Sequence, residues 1–505
     1  MPREFSGCDG IDACGGGGVG NALANRAAAS TAAQAQTLKP GLSLFDSVTL
    51  VAGSMIGSGI FIVSADIARQ VGSPAALIAV WMVAGLMTIA GALAYGELAA
   101  MMPQAGGQYV YLREAYGGLV AFLFGWTLLL IVQTGTVAAV AVAFARFSGV
   151  IFPQIKSEMW IGIGGIGLSG ERLVAIGVIA FLTWGNLRGL DLGKLIQNLF
   201  TSAKLLSLLM ISVVGCLIAR NPAAIAANFG STTAFLGTHP LDLGFAAAFG
   251  AAMVGALFSA DAWASVTFTA SEIRNPRRDL PLALAFGTGV VILLYVMTNF
   301  AYMSELPVNG DPAGATVFAR GISHATGDRV ASAAMQIVWG NAGAWITAIL
   351  VMISTFGCAN GLILTGARVI YAMAHDRVFF PAAGLLNTAS VPAFALIIQG
   401  VWASLLTLSG TYSELLDYVI FAQLMFYVVT VAAVFVLRRK HPDAPRPYRA
   451  FGYPWIPIAY ILAAGAMMLD LLIVKPAYTW PGLLIVLAGV PVYALFARGS
   501  DSRAA

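Results

Sequence analysis

Charge is scarce in this 505-residue chain: Asp, Glu, Lys and Arg together make up 10% of it, against about 25% in soluble globular domains. A water-soluble architecture is thereby excluded. The small net charge of +4 gives no basis for a nucleic-acid partner. Cysteine is equally sparse. Cys8, Cys14, Cys216 and Cys358 form no CxxC pair; two precede the first apolar run and two lie inside apolar runs, so no disulfide framework is expected. The four histidines fall in predicted tails, loops or span ends, and HExxH, GxSxG and the P-loop GK[ST] are all missing. These absences leave little for an enzyme and predict neither a metal site nor a cofactor. GIGGIG, Gly162 to Gly167, has the GxGxxG spacing but no preceding strand and no following acidic partner, and is set aside as a dinucleotide motif.

Apolar sequence is what the chain has in quantity. It is 59% hydrophobic with a mean hydropathy of +0.83, and its apolar runs repeatedly exceed the ~20 residues that cross a ~30 Å hydrocarbon layer as a helix. Twelve spans are predicted, near residues 43–70, 74–102, 118–147, 172–190, 195–219, 244–271, 280–304, 341–374, 390–409, 413–437, 456–474 and 480–497. The Gly/Ala-rich stretch 305–340 reads as an external re-entrant or surface segment. Residues 1–40 lack the apolar core of a signal peptide and read as a flexible cytoplasmic tail. A basic cytoplasmic loop at 438–455 precedes the last two spans (456–497), and 498–505 forms a second tail. With the N-terminus inside, eighteen of the 27 Lys and Arg fall in inner segments, eight fall outside, and Lys204 lies within a span. Positive charge concentrates on the cytoplasmic side of membrane proteins, so both termini are expected there, in a plasma (inner) membrane.

Two predicted spans are interrupted. The first carries GSMIGSGIF, Gly53 to Phe61, and the sixth carries GALFSADAW, Gly255 to Trp263. Each Gly costs about 1 kcal/mol against Ala in a helix interior. Gly53 and Gly57 also spell GxxxG, a helix-packing motif. The matching interruption five spans later favours broken helices instead, the best sequence pointer to a transporter site between repeats 41–219 and 244–437. Unwinding frees backbone N–H and C=O groups, tolerable in a membrane only where they line a polar cavity. Amides around Ser58, Gly59 and Ile60 would attract a carboxylate, and the freed carbonyls nearby would accept from an ammonium. A zwitterionic amino acid satisfies both.

Lys204 lies roughly 14 Å along the fifth span at 1.5 Å per residue. It either snorkels to the interface or docks as a fixed ammonium against first-span carbonyls and eighth-span hydroxyls such as Ser354 or Thr355. Asp261 either faces a cationic group of the substrate or hydrogen-bonds the unwound backbone. Trp263 either gates the pocket or packs the bundle.

These features resemble a known family, the amino acid–polyamine–organocation permeases, and within it the L-type amino acid transporter branch and its bacterial relatives. The resemblance rests on GSMIGSGIF, YGELAAMMPQAGGQYVYLREAYG (95–117), SEIRNPRRDLPLAL (271–284) and FGCANGLILTGARVIYAMAHDRVFFP (356–381). It implies an all-α polytopic membrane protein of LeuT type: twelve helices, a 5+5 inverted repeat and two C-terminal helices, working by alternating access. It also implies a site in which Gly53, Ser54, Met55, Gly57, Ser58, Gly59 and Ile60 face Phe258, Ser259, Ala260, Asp261 and Trp263. Lys204, with Ser354 and Thr355, would stand where sodium-coupled relatives hold an ion, implying sodium-independent transport. The expected substrates are neutral L-amino acids; a polyamine or cationic amino acid carrier, or a non-transporting amino acid sensor, are the alternatives. Animal members bind a heavy chain through a cysteine between helices 3 and 4. Residues 148–171 contain none here, so no disulfide-linked heavy chain is expected. The partners that remain are the amino acid and the lipid bilayer.

Overall fold

In the computed structural model the described residues are 41–501, apart from 105, 156, 157, 164, 165, 219, 239–241 and 409–411. The predicted tail 1–40, with Cys8 and Cys14, lies outside them, as do 502–505. The chain begins with a broken pair, α1 (Leu44–Met55) and α2 (Gly59–Val71), bent by 41°. Ser43 starts α1 through a reciprocal cap: its Oγ accepts from the Asp46 amide at 3.2 Å while Asp46 Oδ2 accepts from the Ser43 amide at 2.8 Å. Gly72, at φ 63°, ends α2 in the left-handed region that Gly enters without steric cost. Then follow α3 (Pro74–Met101), α4 (Gln108–Tyr116) and α5 (Gly118–Ile151), the last interrupted by a π turn at Leu128–Val132. After α5 come β1 (Met159–Ile163) and β2 (Ile166–Ser169), which pair antiparallel and so depart from the all-helical expectation. The GxGxxG spacing falls in this hairpin.

Helices resume with α6 (Gly170–Leu187), α7 (Leu190–Val213), α8 (Pro222–Phe229) and α9 (Thr232–Leu236). The second broken element is α10 (Leu243–Ser259) followed by a 3-10 segment, Trp263–Glu272. The remainder comprises α11 (Pro276–Glu305), the short α12 (Val317–Arg320), α13 (Val330–His375), α14 (Ala393–Thr407), α15 (Tyr412–Lys440), α16 (Trp455–Val474) and α17 (Pro476–Asp501). Helix occupies every one of the twelve apolar runs. Among the described residues nine helices are long and apolar enough to cross a membrane, or ten if the bent α1–α2 pair counts as one. Helices α6 and α14, in the fourth and ninth runs, fall short of that standard. The stretch 305–340 splits in two: 307–329 is loop and short turns, whereas Val330 already opens α13. Helical geometry fails inside α13 at Trp339 and Gly340 (φ 61°), next to the predicted start of the eighth span. The chain is a multi-pass integral membrane protein.

Two packing groups emerge. Helices α1, α2, α3, α10 and α11 pack on one another, and α5, α6, α13 and α14 form a second set. The family-like stretches meet at one end of the bundle. Arg113 Nη1 reaches both oxygens of Asp376, at 2.7 and 2.6 Å, and Tyr109 donates to the same carboxylate. Arg368 is 1% exposed, with Nε 3.2 Å from Glu272 Oε1. Gly106 and Gly107, at φ 100° and 44°, let their loop lie directly on the 3-10 segment; a Cβ on Gly107 would sit 2.6 Å from the Thr267 carbonyl.

Glu97, also 1% exposed, gathers the loop 438–455 onto α3. It accepts from Arg438 Nε and Nη2 at 2.9 and 2.7 Å and from the Ala450 amide at 2.7 Å, with Arg446 Nε 3.3 Å away. Removing one member of a buried ion pair strands the others' charge at a cost of about 3–5 kcal/mol. Glu97→Ala is therefore expected to lower the thermal unfolding midpoint of the detergent-purified protein markedly, and Glu97→Gln by less. An Ala variant as stable as the parent would refute this anchoring role.

Candidate functional site

The two breaks face each other at their centres. Ile56, Gly57 and Ser58 separate α1 from α2, and Ala260, Asp261 and Ala262 (φ 65°) separate α10 from the 3-10 segment. Contact is closest at Gly59, where a Cβ would lie 2.0 Å from Ser259 Oγ and 2.9 Å from Ser259 Cα. One turn further out, a Cβ on Gly255 would strike Val63. Glycine at these positions serves close approach of two backbones. The Gly59 and Ile60 amides belong to the first turn of α2, where no i−4 carbonyl is available to them. Ser58 and Ile60 are fully buried, and Ser54 Oγ is buried without a hydrogen-bond partner.

Nearly every carbonyl freed by the first break has a protein donor. The Lys204 ammonium, 0% exposed, donates to Gly53 O at 2.5 Å, Ile56 O at 3.0 Å and Ser354 O at 3.4 Å. Three donors on an ammonium thus meet three carbonyls. The side chain does not snorkel. The expected eighth-span hydroxyls are not its partners: Ser354 Oγ donates in parallel to Ile56 O and Gly57 O at 3.2 and 3.1 Å, and Thr355 Oγ1 bonds back to Val351 O. Ser354 meets the ammonium with its backbone carbonyl instead. Cys358 Sγ takes Ser54 O at 3.1 Å. Tyr295 on α11 donates from one hydroxyl toward Met55 O at 3.1 Å and Ser259 O at 2.9 Å, one oxygen on each broken element.

On the other break, Asp261 Oδ1 accepts from the Tyr427 hydroxyl at 2.7 Å, and no Lys or Arg lies within ion-pair distance of it among the described residues. Trp263 is 2% exposed and fixed by rings: it stacks on Tyr427 with centroids 4.9 Å apart and meets Tyr95 edge-on at 4.8 Å. It packs the bundle in this conformation. The predicted residues Gly53 to Ile60, Phe258 to Asp261, Lys204 and Ser354 are therefore gathered at one locus, with Thr355 beside it but turned into its own helix. Tyr295, Tyr427 and Cys358 escaped the sequence reading. Each is a single residue of low polarity inside an apolar run, and only its hydroxyl or thiol partner reveals it.

Steric margins at the two glycines differ, and this is measurable. Gly59→Ala must push the breaks apart, so the overpacking cost of about 1–3 kcal/mol is expected. Gly57→Ala meets only Cys358 Sγ, at 3.2 Å, and should cost less. Thermal unfolding of both variants tests the order; equal midpoints would contradict the abutting geometry.

Comparison with known proteins agrees with the architecture. Residues 42–496 match the amino acid permease family model. The chain is 28% identical to the b(0,+)-type amino acid transporter 1 of Mus musculus, over 92% of this chain and 90% of that protein. It is 29% identical to the large neutral amino acids transporter small subunit 2 of Homo sapiens, covering 91% and 80%. With the serine/threonine exchanger SteT of Bacillus subtilis it shares 29%, covering 90% and 96%. By the extent of that match, the chain belongs to the amino acid permease family.

Proposed function

We propose that this protein is a secondary transporter of neutral L-amino acids and that it works by sodium-independent alternating access. The observation that carries the proposal is the pair of broken helices abutting at Gly59 and Ser259, with the buried Lys204 ammonium on the carbonyls of the first break. Three relatives named for amino acid cargo support the same reading. In it the twelve helical runs are twelve spans. Residues 41–219 and 244–437 are inverted repeats, 456–497 adds two helices, and both termini face the cytoplasm from the plasma membrane.

The substrate carboxylate docks on the amides of Ser58, Gly59 and Ile60, at the positive end of α2. Its ammonium shares the carbonyls of the first break and of Phe258 to Asp261, since a carbonyl oxygen has a second lone pair beyond the one its protein donor uses. The unpartnered Ser54 hydroxyl adds a further polar handle. Lys204 takes the part of a coupling cation by holding α1, α7 and α13 together. Alternation then moves α1, α2, α3, α10 and α11 against α5, α6, α13 and α14.

A second reading, a carrier of cationic amino acids or polyamines, draws on Asp261, a buried carboxylate held by a tyrosine hydroxyl with no cation of its own. Radiolabelled neutral and cationic amino acids in proteoliposomes, with and without substrate on the trans side and with sodium omitted, separate the readings. Saturable, sodium-insensitive neutral flux is expected; cationic flux lost selectively in Asp261→Asn would favour the second. Binding without flux would refute transport and leave a sensor. Lys204→Ala is expected to slow flux by at least about tenfold, a barrier change of roughly 1.4 kcal/mol, at unchanged membrane abundance. Unchanged flux would remove Lys204 from the mechanism.

A further inference from the structure

A second polar site lies at the opposite end of the bundle from Glu97, where α12 and the loop before α13 meet the end of α5. A cavity of about 300 Å³ opens there, lined among others by Arg320, Thr326, Arg329, Ser332, Asn341 and Trp345, with no acidic side chain in its wall. Neither arginine has a carboxylate within ion-pair distance among the described residues. Arg320 is held by neutral acceptors, Gly314 O at 2.8 Å and Thr326 Oγ1 at 2.7 Å. Arg329 donates to Arg146 O at 3.4 Å. The nearby carboxylates are already matched: Asp328 is 2.7 Å from Arg69 Nη1, and Glu171 is 3.6 Å from Arg146 Nε.

Ser332 is 6% exposed and its hydroxyl has no hydrogen-bond partner. A buried hydroxyl of that kind normally finds one, and here it borders the cavity. Burial, and after it the neighbouring Arg146, pulls the Arg329 guanidinium below the usual arginine pKa. An anion beside it would offset that desolvated charge. Two guanidiniums and a hydroxyl form a donor set suited to phosphoryl oxygens. The edge of the cavity indicates how such a group arrives. Trp345 lines it at 57% exposed, and Ile349, one turn along the same face of α13, is 48% exposed. Exposed apolar side chains on a membrane-spanning helix face acyl chains, and Trp is enriched at the headgroup level.

We propose that this cavity binds the phosphoryl headgroup of an anionic phospholipid whose acyl chain lies along the Trp345–Ile349 face of α13. The proposal depends on the membrane setting and not on any transported substrate. The bound headgroup would join α12 to the start of α13, on the N-terminal side of the break at Trp339 and Gly340.

Native mass spectrometry of the detergent-purified full chain, titrated with phosphatidylglycerol, phosphatidylcholine or inorganic phosphate, tests it. Phosphatidylglycerol should be retained in preference to phosphatidylcholine, and inorganic phosphate alone should not displace it at matched concentration. Arg320→Gln and Ser332→Ala should each weaken retention, the arginine variant by at least about tenfold, the equivalent of one charge-assisted hydrogen bond. Arg220→Gln, an exposed arginine outside the cavity, should leave retention unchanged. Thermal midpoints without added lipid establish that the variants fold. Equal retention of phosphatidylcholine, full competition by inorganic phosphate, or retention indifferent to both cavity variants would each overturn the proposal.

Discussion

A carbonyl released inside a membrane has no water to turn to, and leaving it unpaired costs several kcal/mol. Everything around the first break answers that constraint. Unwinding at Ile56 to Ser58 would be unaffordable in lipid; here donors arrive from Lys204 on α7, Tyr295 on α11, and Ser354 and Cys358 on α13. Three separate helices are thus tied to one irregular segment, and the segment's geometry depends on all of them. The positive charge of Lys204 is likewise tolerable only because carbonyls surround it, so lysine and break explain each other.

A second set of interactions restrains the far end of the same helices. Glu97, Arg113, Glu272 and Arg368 come from stretches distant in sequence: Glu97 ties α3 to α15 and the loop beyond it, Arg113 ties α4 to Asp376 at the end of α13, and Glu272 ties the 3-10 segment to Arg368 on α13. The buried pairs among them, at Glu97 and between Glu272 and Arg368, contribute little net stability compared with an apolar replacement, but they penalise mispairing heavily. They fix which elements meet at this end of the bundle, whereas the apolar surfaces of α3, α5, α11 and α13 supply the adhesion.

Much of this was legible in the sequence because the bilayer enforces long apolar runs and makes exceptions conspicuous. The runs located most helices to within a few residues, α13 being the exception with its start at Val330 and not 341, and Gly57, Gly59 and Asp261 stood out as expensive in that setting. Lys204 was found by the same logic, and two of its partners, Gly53 O and Ile56 O, are the expected first-span carbonyls. Its eighth-span partner is the Ser354 carbonyl and neither expected hydroxyl, because a backbone oxygen is carried by every residue and no sequence pattern marks it. Tyr295 and Tyr427 were hidden for a related reason. A tyrosine within VVILLYVMTNF or FAQLMFYVV looks like packing until the atom at its tip is placed. The hairpin Met159–Ile163 with Ile166–Ser169 was missed because a Gly-rich loop carries little alternation to read.

One backbone contact gives these elements a mechanical consequence. Just before α1, the Gly41 and Leu42 amides donate to Glu272 O and the Arg274 amide donates to Leu42 O, so the chain entering the first broken helix runs as a short parallel ribbon with the chain leaving the second. Glu272 in turn grips Arg368 on α13. The half-helix α1 is therefore not a free door on a hinge at Ile56. It is joined to the end of the 3-10 segment by three backbone hydrogen bonds and, through Glu272, to Arg368 on α13, so a tilt of one half-helix loads the other.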